Sequence, residues 1–585
     1  TAFVCNQFER VNVLKKYIMM GVKLIIGLVP KTIRDQFKRF PWLTSLYSRS
    51  LQKSGLSYGI PTKRKTAKLY SRLIDFQEEK LNSLEYLQSD IVLIILSEDH
   101  ERLAFTLSSL VNQKSTISVI LWVNDEAEYT QYIDKHPFKI SVCKFWPSEL
   151  ELTNLFLINA GDKLHPNLAC VIGPLSSSEH KLAYVDSDFI TSKLIRHSPK
   201  LHCDWDPDLQ LSTGYINTGL WLRTSSELSN GLSLLKGQTG IADFVANRYL
   251  DSPNIKIQHI PLVLVHSLNL TEQINVPLGK EVTEKISSMA RVTKHDSLPL
   301  FHMLWKVTQP PLVSLIIPTK NSYELVKACI ESILTKTTYQ NYEILLIDNQ
   351  SNEKTSLDYF ALLSQNPKIR VLQYNDTFNY SAINNFAVSM ANGELVGLIN
   401  NDIEVISPDW LTYMVSQACR NEIGCVGAKL LYPDGRIQHA GVVMGYGGGA
   451  GHAHKYFPRE HSGYLNRLAA TNCFSAVTAA CLVVKKADYL AVGGLDEVNL
   501  QVAFNDVDFC LKVLALGRRN IYCAEAELFH HESVSRGFDD TKVKQNRFFS
   551  ELGFLQAKWA NYIQHDPAYN SNLTLRRENF SIKEC

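Results

Sequence analysis

The sequence predicts an α/β protein in which one strand-and-helix domain occurs twice in tandem, preceded by a basic helical extension. Three observations support this prediction. Apolar β-branched runs alternate with helices whose apolar residues recur every three or four positions from Asp90 onward. The alternation occurs twice, and segments of the first copy match segments of the second in the same order. Residues 1–90 hold 16 Lys and Arg against 7 Asp and Glu, in short amphipathic stretches.

Four matched segments define the repeat. In each pair the copy-one segment is given first: DIVLIILSEDHERLAFTLSSLV with LVSLIIPTKNSYELVKACIESIL, LFLINAGDKLHP with VGLINNDIEVISP, GIADFVANRYL with FNDVDFCLKVL, and LVLVHS with LFHHES. The predicted boundaries are 1–89 for the basic amphipathic helical region, 90–269 for the first domain, 270–311 for a linker, 312–540 for the second domain and 541–585 for a C-terminal helical tail. Strands alternating with helices favour a parallel sheet in each domain.

Composition excludes several classes of protein. A chain of 585 residues is too long for one core, and a hydrophobic fraction of 45% is enough for packed domains. A net charge of +2 argues against a nucleic-acid binder. The 12 cysteines contain no C-x-x-C pair, so we expect a reduced, cytoplasmic setting. No run of 18 apolar residues occurs, which argues against a membrane-spanning helix.

The basic N-terminal region supports two interpretations. Stretches such as KLIIGLVPKTIRDQFKRF place apolar residues beside Lys and Arg, which suits attachment to an anionic membrane surface. The alternative is a helical extension that packs on the next domain. The sequence starts at Thr1 without a methionine, so a preceding targeting segment stays open.

Three acidic residues of the second copy are candidates for chemistry. Asp402 follows a buried strand, and Asp506 and Asp508 begin an apolar-periodic helix. Carboxylates at these ends can converge on a diphosphate, a metal and an acceptor hydroxyl. Mg²⁺ and Mn²⁺ prefer oxygen ligands and keep positions open for phosphates, so Asp402 with His530 or His531 would suffice. The alternatives are a turn residue for Asp402 and a satisfied core residue for the histidine.

Such a set of groups suits the transfer of a sugar from a nucleotide diphosphate to an acceptor hydroxyl. If the transfer inverts the sugar, it needs a group that accepts the proton of that hydroxyl, and Asp506 is the candidate for this general base. The alternative is a helix N-cap, which the nearby Asp508 weakens because capping needs one carboxylate. Asp348 after another buried run can accept an N–H of a nucleobase, or form an Asx-turn. The segment GYGGGAGHAH from Gly445 suits either a loop over the diphosphate or a flexible connection.

These motifs resemble the family-2 glycosyltransferases of GT-A fold, particularly the bacterial enzymes of O-antigen and capsule assembly that are often rhamnosyltransferases. The motifs IIPTKN, IDNQS, FNYSAINNFA, INNDIEVISPDWL, IQHAGVV, GGLDE, FNDVDFCLK and HHESVSRG stand in family order across about residues 312–540. The resemblance implies an inverting transferase with Mn²⁺ or Mg²⁺, a nucleotide-sugar donor, and a lipid-linked or growing polysaccharide acceptor. It also implies a cytoplasmic protein, peripheral at the inner membrane.

The resemblance assigns roles residue by residue. The base is Asp506, and the metal ligands are Asp402 and His530 or His531. The sequence departs from the family twice: Asn400 replaces the first acid of the D-x-D motif, and Asn505 replaces the Glu that commonly precedes the base. The donor-binding residues implied are Pro318, Thr319, Asn321, Asp348, Asn400 and Asn401, with Thr319 and Asp348 at the nucleoside, and the acceptor region comprises Asp508, Ala480 and Cys481.

The first copy lacks part of this set. Ile241 stands where the second copy has Asp506, and Leu96 and Ser97 replace Pro318 and Thr319, while Asp162 and His266 survive. We expect a degenerate domain that scaffolds, positions acceptor or binds a glycan. The first alternative is a polymerase in which Asp186 or Asp188 serves a second active site. An alternative of another class is a non-catalytic glycan-binding scaffold. A nucleotidyltransferase is disfavoured because IIPTKN lacks a Gly-rich basic loop.

Overall fold

The computed structural model describes residues 60–84, 91–96, 99–114, 116–133, 135–144, 154–177, 181–223, 239–268, 277–531 and 541–584, together with 18–22 and isolated positions. Most of the region predicted to lie on a membrane surface, and Ser97, fall outside the described residues. None of the described helices combines the length and the apolar character needed to cross a bilayer.

The first of the two large sheets has nine strands. We call the part built on this sheet the first unit. Its strands are β1 (Ile91–Leu96), β2 (Ile117–Trp122), β3 (Lys139–Cys143), β4 (Asn154–Asn159), β5 (Asp162–Leu164), β6 (Leu182–Ile190), β7 (Arg196–Lys200), β8 (Leu220–Arg223) and β9 (Gln258–Leu268), and its helices are His100–Leu110, Leu168–Ile172, Pro207–Thr213 and Gly240–Asp251. The order of the strands along the sheet is β3-β2-β1-β4-β8-β6-β9-β5, and β7 pairs with β6.

The described part of the segment predicted as a linker, residues 277–311, is folded, which corrects the prediction for these residues. It contains the helix Lys280–Met289 and an antiparallel hairpin of β10 (Ala290–Lys294) and β11 (Phe301–Trp305). Val282, Ile286 and Met303 are buried against the helix Gly240–Asp251. Apolar residues at helical and alternating spacing therefore drive this segment to pack on the first unit rather than to extend.

The second unit carries a ten-stranded sheet. Its strands are β12 (Val313–Thr319), β13 (Tyr342–Asp348), β14 (Ile369–Gln373), β15 (Leu395–Ile399), β16 (Ile403–Val405), β17 (Ile423–Leu431), β18 (Ile437–His439), β21 (Asn472–Phe474), β22 (Cys481–Lys485) and β23 (Arg519–His530). Their order along the sheet is β14-β13-β12-β15-β22-β17-β23-β16, with β18 on β17 and β21 on β23. A separate hairpin joins β19 (Val442–Met444) to β20 (Ala450–His452), and the helices are Tyr323–Lys336, Lys354–Leu363, Tyr380–Met390, Trp410–Ala418, Lys486–Ala491 and Asn505–Ala515.

The two sheets share one topology, so the repeat predicted from sequence is present as a repeat of structure. In the first sheet β1 lies between β2 and β4 and pairs in parallel with both. β8 is antiparallel to β4 on one side and to β6 on the other. β6 and β9 pair in parallel, and β5 is antiparallel to β9. The second sheet repeats each relationship with β12, β13, β15, β22, β17, β23 and β16. The α/β fold class with two tandem sheet domains is confirmed.

Both faces of the second sheet are covered, which explains its near-continuous apolar strands. Alternate residues of β12 enter different cores: Leu315 and Ile317 face one cluster, and Ile316 faces the other. Polar residues begin where these strands end, and parallel strands that end together form a ligand crevice at that edge. The sheet thus brings the candidate donor residues to one side of the unit.

The helix Lys63–Asn82 packs on the first unit. It begins at the N-cap Thr62, whose hydroxyl accepts the N–H of Lys65, and it buries Leu69, Tyr70 and Leu73. Gln77 Oε1 accepts the backbone N–H of Val263 at 3.1 Å. For this part of the N-terminal region, the packed helical extension is the interpretation that the structure supports.

The C-terminal segment is helical only in its first part, over Lys542–Lys558 and Ala560–Gln564. Residues 565–584 form turns that bind both units. Asp566 Oδ1 accepts the Ser475 hydroxyl at 2.6 Å, and Asn570 Nδ2 donates to Asp186 Oδ2 at 2.9 Å. The prediction of a helical tail is therefore corrected for these residues, where polar side chains pair with backbone and buried carboxylates instead of following a helical period.

Candidate active site

The centre of the site is a contact between Asp402 and His530. The strands β16 and β23 run antiparallel with Ile403 opposite His530, so Asp402 at the start of β16 meets the imidazole. Asp402 Oδ1 lies 3.2 Å from His530 Nε2, yet this buried oxygen has no aligned hydrogen-bond donor among the described residues. Asp402 is thus held in place by the sheet with one oxygen unsatisfied.

Neighbouring amides define the protonation of His530. Gln438 Oε1 lies 2.6 Å from Nδ1, so Nδ1 carries a hydrogen and donates it. Asn400 Nδ2 lies 3.2 Å from Nε2, so Nε2 accepts. Nε2 and Asp402 Oδ1 are then two acceptors facing each other. Such a pair fits a cation between or beside them, and the donor set of one carboxylate and one imidazole suits a divalent metal.

Asp402 also responds to the charge state of His530. Burial acts to raise the pKa of Asp402, but the charge of a protonated His530 and a hydrogen bond from it outweigh burial and hold the pKa below its ordinary value. With His530 in the neutral tautomer this effect is absent, and a bound cation would take its place. His531 is placed differently: its Nε2 faces Glu404 Oε2 at 3.3 Å, and only its backbone N–H contacts Asp402, at the carbonyl oxygen. Of the two histidines left open by the sequence, His530 is the one whose ring meets Asp402.

Asp506 stands in the first turn of the helix Asn505–Ala515, after Phe504 with φ of 59°. Its Oδ2 accepts the backbone N–H of Ala479 at 3.1 Å, and Oδ1 accepts that of Val507 at 2.9 Å. Burial raises the pKa of Asp506 above its ordinary value despite these hydrogen bonds. A carboxylate with a raised pKa is a stronger proton acceptor than an exposed aspartate.

One segment connects Asp506 to the Asp402–His530 end of the site. Ala479 donates its N–H to Asp506, and the next residue, Ala480, accepts the N–H of Asn400 at 3.0 Å through its carbonyl oxygen. Tyr380 OH lies 3.2 Å from both Asn400 Oδ1 and the Ala479 carbonyl. The predicted acceptor-side residues therefore lie between the two acidic positions: Ala480 precedes β22, and the buried Cys481 begins it.

The predicted nucleoside end lies on adjacent strands. β12 and β13 pair so that Thr319 is opposite Asp348, and Asn401 Nδ2 donates to Thr319 Oγ1 at 3.0 Å. Asp348 Oδ1 accepts the N–H of Ser351, three residues on, at 2.9 Å, while Oδ2 accepts from Gln373. Thr319, Asp348 and Asn401 are thus grouped at the end of the sheet.

Pro318 and Asn321 belong to the same edge. Pro318 precedes Thr319 in β12 and is half-buried. Asn321 has φ of 54°, and its side-chain oxygen accepts the N–H groups of Asn352 and Glu353 at 2.8 and 3.0 Å. Asn321 therefore joins the loop after β12 to the loop after β13, where it shapes the crevice.

Asp508 points away from this constellation. Its Oδ1 accepts the Trp559 indole N–H at 2.7 Å and pairs with Lys558 Nζ at 2.7 Å, and Oδ2 lies 3.6 Å from Lys512 Nζ. The carboxylate is fully buried. Its contacts anchor the C-terminal helix Lys542–Lys558 to the second unit, a role that the proximity of Asp506 in sequence did not reveal.

Sequence reasoning missed a histidine pair beside the site. His439 Nε2 lies 3.3 Å from the N–H of Gly441 and 3.4 Å from that of Thr478, so Nε2 accepts and Nδ1 carries the hydrogen. His439 Nδ1 then donates to His452 Nδ1 at 2.8 Å. Burial holds the pKa of His439 well below its ordinary value and lowers that of His452 to about 3, so both rings are neutral. IQHAGVV and GHAH contain these residues and were the available signals.

The corresponding residues of the first unit are internally paired. Asp162 accepts from the Thr218 hydroxyl at 2.5 Å and from the Ser267 hydroxyl at 2.6 Å. Asp188 contacts His266 Nδ1 at 2.6 Å, and its other oxygen contacts Arg196 Nε and the hydroxyl of Tyr70. The helix Lys63–Asn82 thus contacts, through Tyr70, the end of the first sheet that corresponds to the Asp402–His530 end of the second.

Asp186, the other acid considered for a second active site, is also engaged. Its Oδ1 accepts the N–H of His202 at 2.8 Å and faces His259 Nε2 at 2.9 Å, and Oδ2 accepts from Asn570. At the base position, Ile241 is buried in the core of the first unit. The first unit keeps the fold but holds its acids in structural hydrogen bonds.

Comparison with known proteins identifies the family to which the second unit is similar. Residues 314–481 match the model "Glycosyl transferase family 2". The chain is 40% identical over 448 residues to the uncharacterized protein y4gI of Sinorhizobium fredii, covering 73% of this chain and 49% of that protein. It is 33% identical over 444 residues to the O-antigen biosynthesis protein RfbC of Myxococcus xanthus, covering 72% and 33%. The chain therefore spans half or less of the length of these relatives.

Among solved structures, the mannosyltransferase PcManGT from Pyrobaculum calidifontis, in complex with GDP-Man and Mn²⁺, aligns with a TM-score of 0.32 at 16% identity, over 43% of this chain and 65% of that one. The family match spans the strands that carry the predicted donor residues and Asp402. The match places a glycosyl transferase family 2 domain at residues 314–481 of the second unit.

Proposed function

We propose that the protein is an inverting, metal-dependent glycosyltransferase that moves a sugar from a nucleotide-diphosphate donor to a lipid-linked or growing bacterial surface polysaccharide. The observation that carries this proposal is the facing pair of acceptors, Asp402 Oδ1 and His530 Nε2, beside the family's donor strands. The name of the RfbC relative supports an O-antigen type of product.

Asp402 and His530 would hold the divalent cation, Mn²⁺ or Mg²⁺. When bound there, the cation neutralises the charge that develops on the leaving diphosphate. Asn400 takes the place of a second carboxylate, and its side-chain N–H, which donates to His530 Nε2, would have to release that nitrogen for it to bind the cation. A metal site with fewer anionic ligands should bind the free ion weakly and gain affinity when donor phosphates complete it.

Asp506 performs the proton transfer in the proposed reaction. The acceptor hydroxyl gives its proton to Asp506 while its oxygen forms a bond to the anomeric carbon. The bond from that carbon to the diphosphate oxygen breaks, and its electron pair leaves with the nucleoside diphosphate. Attack on the face opposite the diphosphate inverts the anomeric centre. Thr319, Asp348 and Asn401 would position the nucleoside end of the donor.

We assign transfer to the second unit alone. In the first unit Asp162, Asp186 and Asp188 already pair with hydroxyl, amide, imidazole or guanidinium groups. Taking them for a metal would leave several buried donors unsatisfied, which costs free energy. This argues against the polymerase alternative with two active sites. We also propose action at the cytoplasmic face of the inner membrane, where nucleotide sugars are available to lipid-linked acceptors.

A thermal-shift panel tests the proposal. UDP-, dTDP-, GDP- and CMP-sugars are added with and without Mn²⁺ to the wild type, Asp402→Ala and the control Asp358→Asn, which changes an exposed helix residue. A ligand at about 100 times its Kd stabilises by roughly 2.7 kcal/mol. We expect a Mn²⁺-dependent rise in Tm for one nucleotide class, lost only in Asp402→Ala. Absence of any donor-dependent shift would favour the glycan-binding scaffold instead.

A further inference from the structure

A cavity of about 310 Å³ lies at the β5 edge of the first sheet, where the helix Lys63–Asn82 and the turn after the helix His100–Leu110 meet it. Its volume is at the lower end of the range of about 300–1,000 Å³ typical of small-molecule sites. The turn is held against the sheet because the backbone N–H of Lys114 donates to the Pro166 carbonyl oxygen at 3.4 Å. The cavity belongs to the first unit, and the proposed transfer uses none of the residues that line it.

Cations outnumber carboxylates in the walls of the cavity. The charged lining residues are Lys114, Lys163, Arg196 and Glu78, and the buried Asp188 lies behind Arg196. Arg196 Nε donates to Asp188 Oδ2 at 2.6 Å, and Nη1 donates to Glu78 Oε1 at 3.3 Å. No described residue pairs with the ammonium group of Lys114 or Lys163. The two lysines therefore supply positive charge that can bind an anion.

Two histidines also line the cavity, and only one of them is fully paired. His165 Nδ1 accepts the N–H of Asn167 at 3.1 Å, so Nε2 carries the hydrogen and donates it to Glu78 Oε2 at 3.0 Å. His266 is 5% exposed, and its Nδ1 donates to Asp188 Oδ1 at 2.6 Å, which leaves Nε2 as an acceptor. Burial lowers the pKa of His266, so its ring is neutral. Nε2 has no partner among the described residues and is not shut off from solvent, so it opens onto the cavity.

The free acceptor and one of the free lysines are neighbours on one face of the sheet. Lys163 of β5 is directly opposite His266 of β9, and Asp188 of β6 is opposite His266 on the other side. Residues opposite each other on adjacent strands share a face, with Cβ atoms about 4.5–5.5 Å apart. An ammonium donor thus stands beside an imidazole acceptor. This pair fits a ligand that brings anionic oxygens and a hydroxyl together.

The rim of the cavity is apolar. Leu194 lines the cavity, and Leu194 and Ile195 are 50% and 61% exposed in the turn between β6 and β7. Leu194 has φ of 60°, a sparsely populated conformation for this residue. The turn is held by the N–H of Leu194, which donates to the Thr191 carbonyl oxygen at 2.8 Å, and by the N–H of Ile195, which donates to the Thr191 hydroxyl at 3.2 Å. The fold thus keeps two large apolar side chains at the surface beside the cationic cavity.

We infer that this cavity binds the diphosphate headgroup of the lipid-linked acceptor. Lys114 and Lys163 bind the phosphate oxygens, His266 Nε2 accepts a hydroxyl of the first sugar, and Leu194 and Ile195 contact the start of the lipid chain. The identity of the acceptor rests on the proposed function, but the binding itself needs no residue of the second unit. The degenerate first unit then anchors the lipid end of the acceptor and leaves its growing end free to reach the second unit.

The test is isothermal titration of the full chain with three probes in the same non-ionic detergent. The probes are farnesyl diphosphate that carries one glucose, inorganic diphosphate and farnesol. EDTA is present throughout, so that no divalent cation at Asp402 and His530 can bind a diphosphate. We expect the first probe to bind at least about tenfold more tightly than either of the others, because it alone supplies anionic, hydroxyl and apolar groups. Equal affinity for inorganic diphosphate or for farnesol would overturn the inference.

Charge reversal in the cavity gives the matched comparison. Lys114→Glu changes an exposed side chain, and Lys163→Glu changes the neighbour of His266. Lys139→Glu, exposed on β3 at the opposite edge of the first sheet, is the control. We expect each cavity variant to weaken binding of the first probe by at least about tenfold, as loss of a charge-assisted hydrogen bond does. The control should stay within twofold of the wild type.

Tm measurements exclude unfolding of the variants, and the exposed Lys114 keeps the test valid if Lys163→Glu fails to fold. If sugar transfer is absent while lysine-dependent binding of the first probe persists, the proposed function fails and the cavity assignment stands. If transfer occurs but the wild type does not bind this probe in EDTA, or both cavity variants bind it as the wild type does, the cavity assignment fails and the proposed function stands.

Discussion

Asp208 of the first unit accepts Nη2 of Arg519 in the second unit at 2.9 Å, and its other oxygen contacts Nη1 of Arg420. All three side chains are largely buried, and both guanidinium groups also approach the Tyr249 hydroxyl, at 3.0 and 3.1 Å. The two units are therefore joined by a desolvated ion cluster, in which each charge depends on the others for compensation.

Asp208→Ala should strongly destabilise the junction, because the guanidinium groups of Arg420 and Arg519 lose their shared buried carboxylate and keep only the partly exposed Glu422. We expect a loss of roughly 3–5 kcal/mol, the usual cost of removing one partner of a buried pair. Thermal unfolding should become less cooperative, with the two units melting separately. Asp251→Ala, at a half-exposed ion pair with Lys285, is the control and should change Tm little. Equal shifts in both variants would contradict the importance of this cluster.

Asp506→Asn should abolish transfer while sparing the fold. The amide cannot take the acceptor proton, so we expect a loss of roughly 10²–10⁴-fold in kcat with donor binding nearly unchanged. A parallel loss of donor binding would remove Asp506 from the role of base.

The pKa of Asp506 gives a second readout. Because burial raises it, the folded state binds a proton more readily than the unfolded chain, so this carboxyl favours folding at low pH and loses that contribution as pH rises through its folded pKa. At neutral pH, Asp506→Asn should therefore match or exceed the wild-type Tm. In the wild type, the acidic limb of the kcat profile should lie above the ordinary aspartate pKa of about 3.9.

His530→Gln and His531→Gln form a matched pair for the metal site. His530 meets Asp402 with its ring, whereas His531 faces Glu404. We expect His530→Gln to raise the Mn²⁺ concentration needed for half-maximal donor binding by at least about tenfold. His531→Gln should leave it within twofold. The reverse ranking would assign the ligand to His531.

Asp508→Ala should loosen the helix Lys542–Lys558 without altering the chemistry directly. The buried carboxylate holds Trp559 and Lys558, and hydrogen bonds to charged groups contribute roughly 1.5–3 kcal/mol. We expect a lower Tm and faster proteolysis within residues 541–564, with donor-induced stabilisation retained. If the variant instead keeps its Tm and loses acceptor affinity, Asp508 belongs to the acceptor region as the sequence comparison implied.

The sequence was sufficient for the fold because the repeat fixes it locally: apolar runs such as VSLIIPT can be buried on both faces only in a covered sheet, and the matched segments repeat that solution. Contacts between residues far apart in the sequence could not be predicted in the same way. The motifs indicate that Asp402 lies near a histidine of HHES, but the choice between His530 and His531 depends on the register of β16 against β23.

Other features left no local signature. Asp506 and Asp508 look equivalent in FNDVDFCLK, and they diverge because Trp559 packs against one face of their helix. The pairing of His439 with His452 depends on a hairpin that brings the two histidines together. The apolar residues of the segment 565–584 follow neither helical nor strand spacing. This segment is instead held by hydrogen bonds to backbone groups and carboxylates of both units.

Residues 565–584 also determine the order in which the two units can finish folding during biosynthesis. Asn570 binds Asp186 of the first unit, and Asp566 binds Ser475 and the N–H of Met444 in the second. The ribosome makes residues 566–570 after both sheets, so each sheet emerges with a buried carboxylate or backbone group still awaiting its partner. The first and second units can each collapse early, but they dock fully only after this segment has been made. A nascent chain that stalls before residue 566 would leave the contact surfaces of the two units exposed.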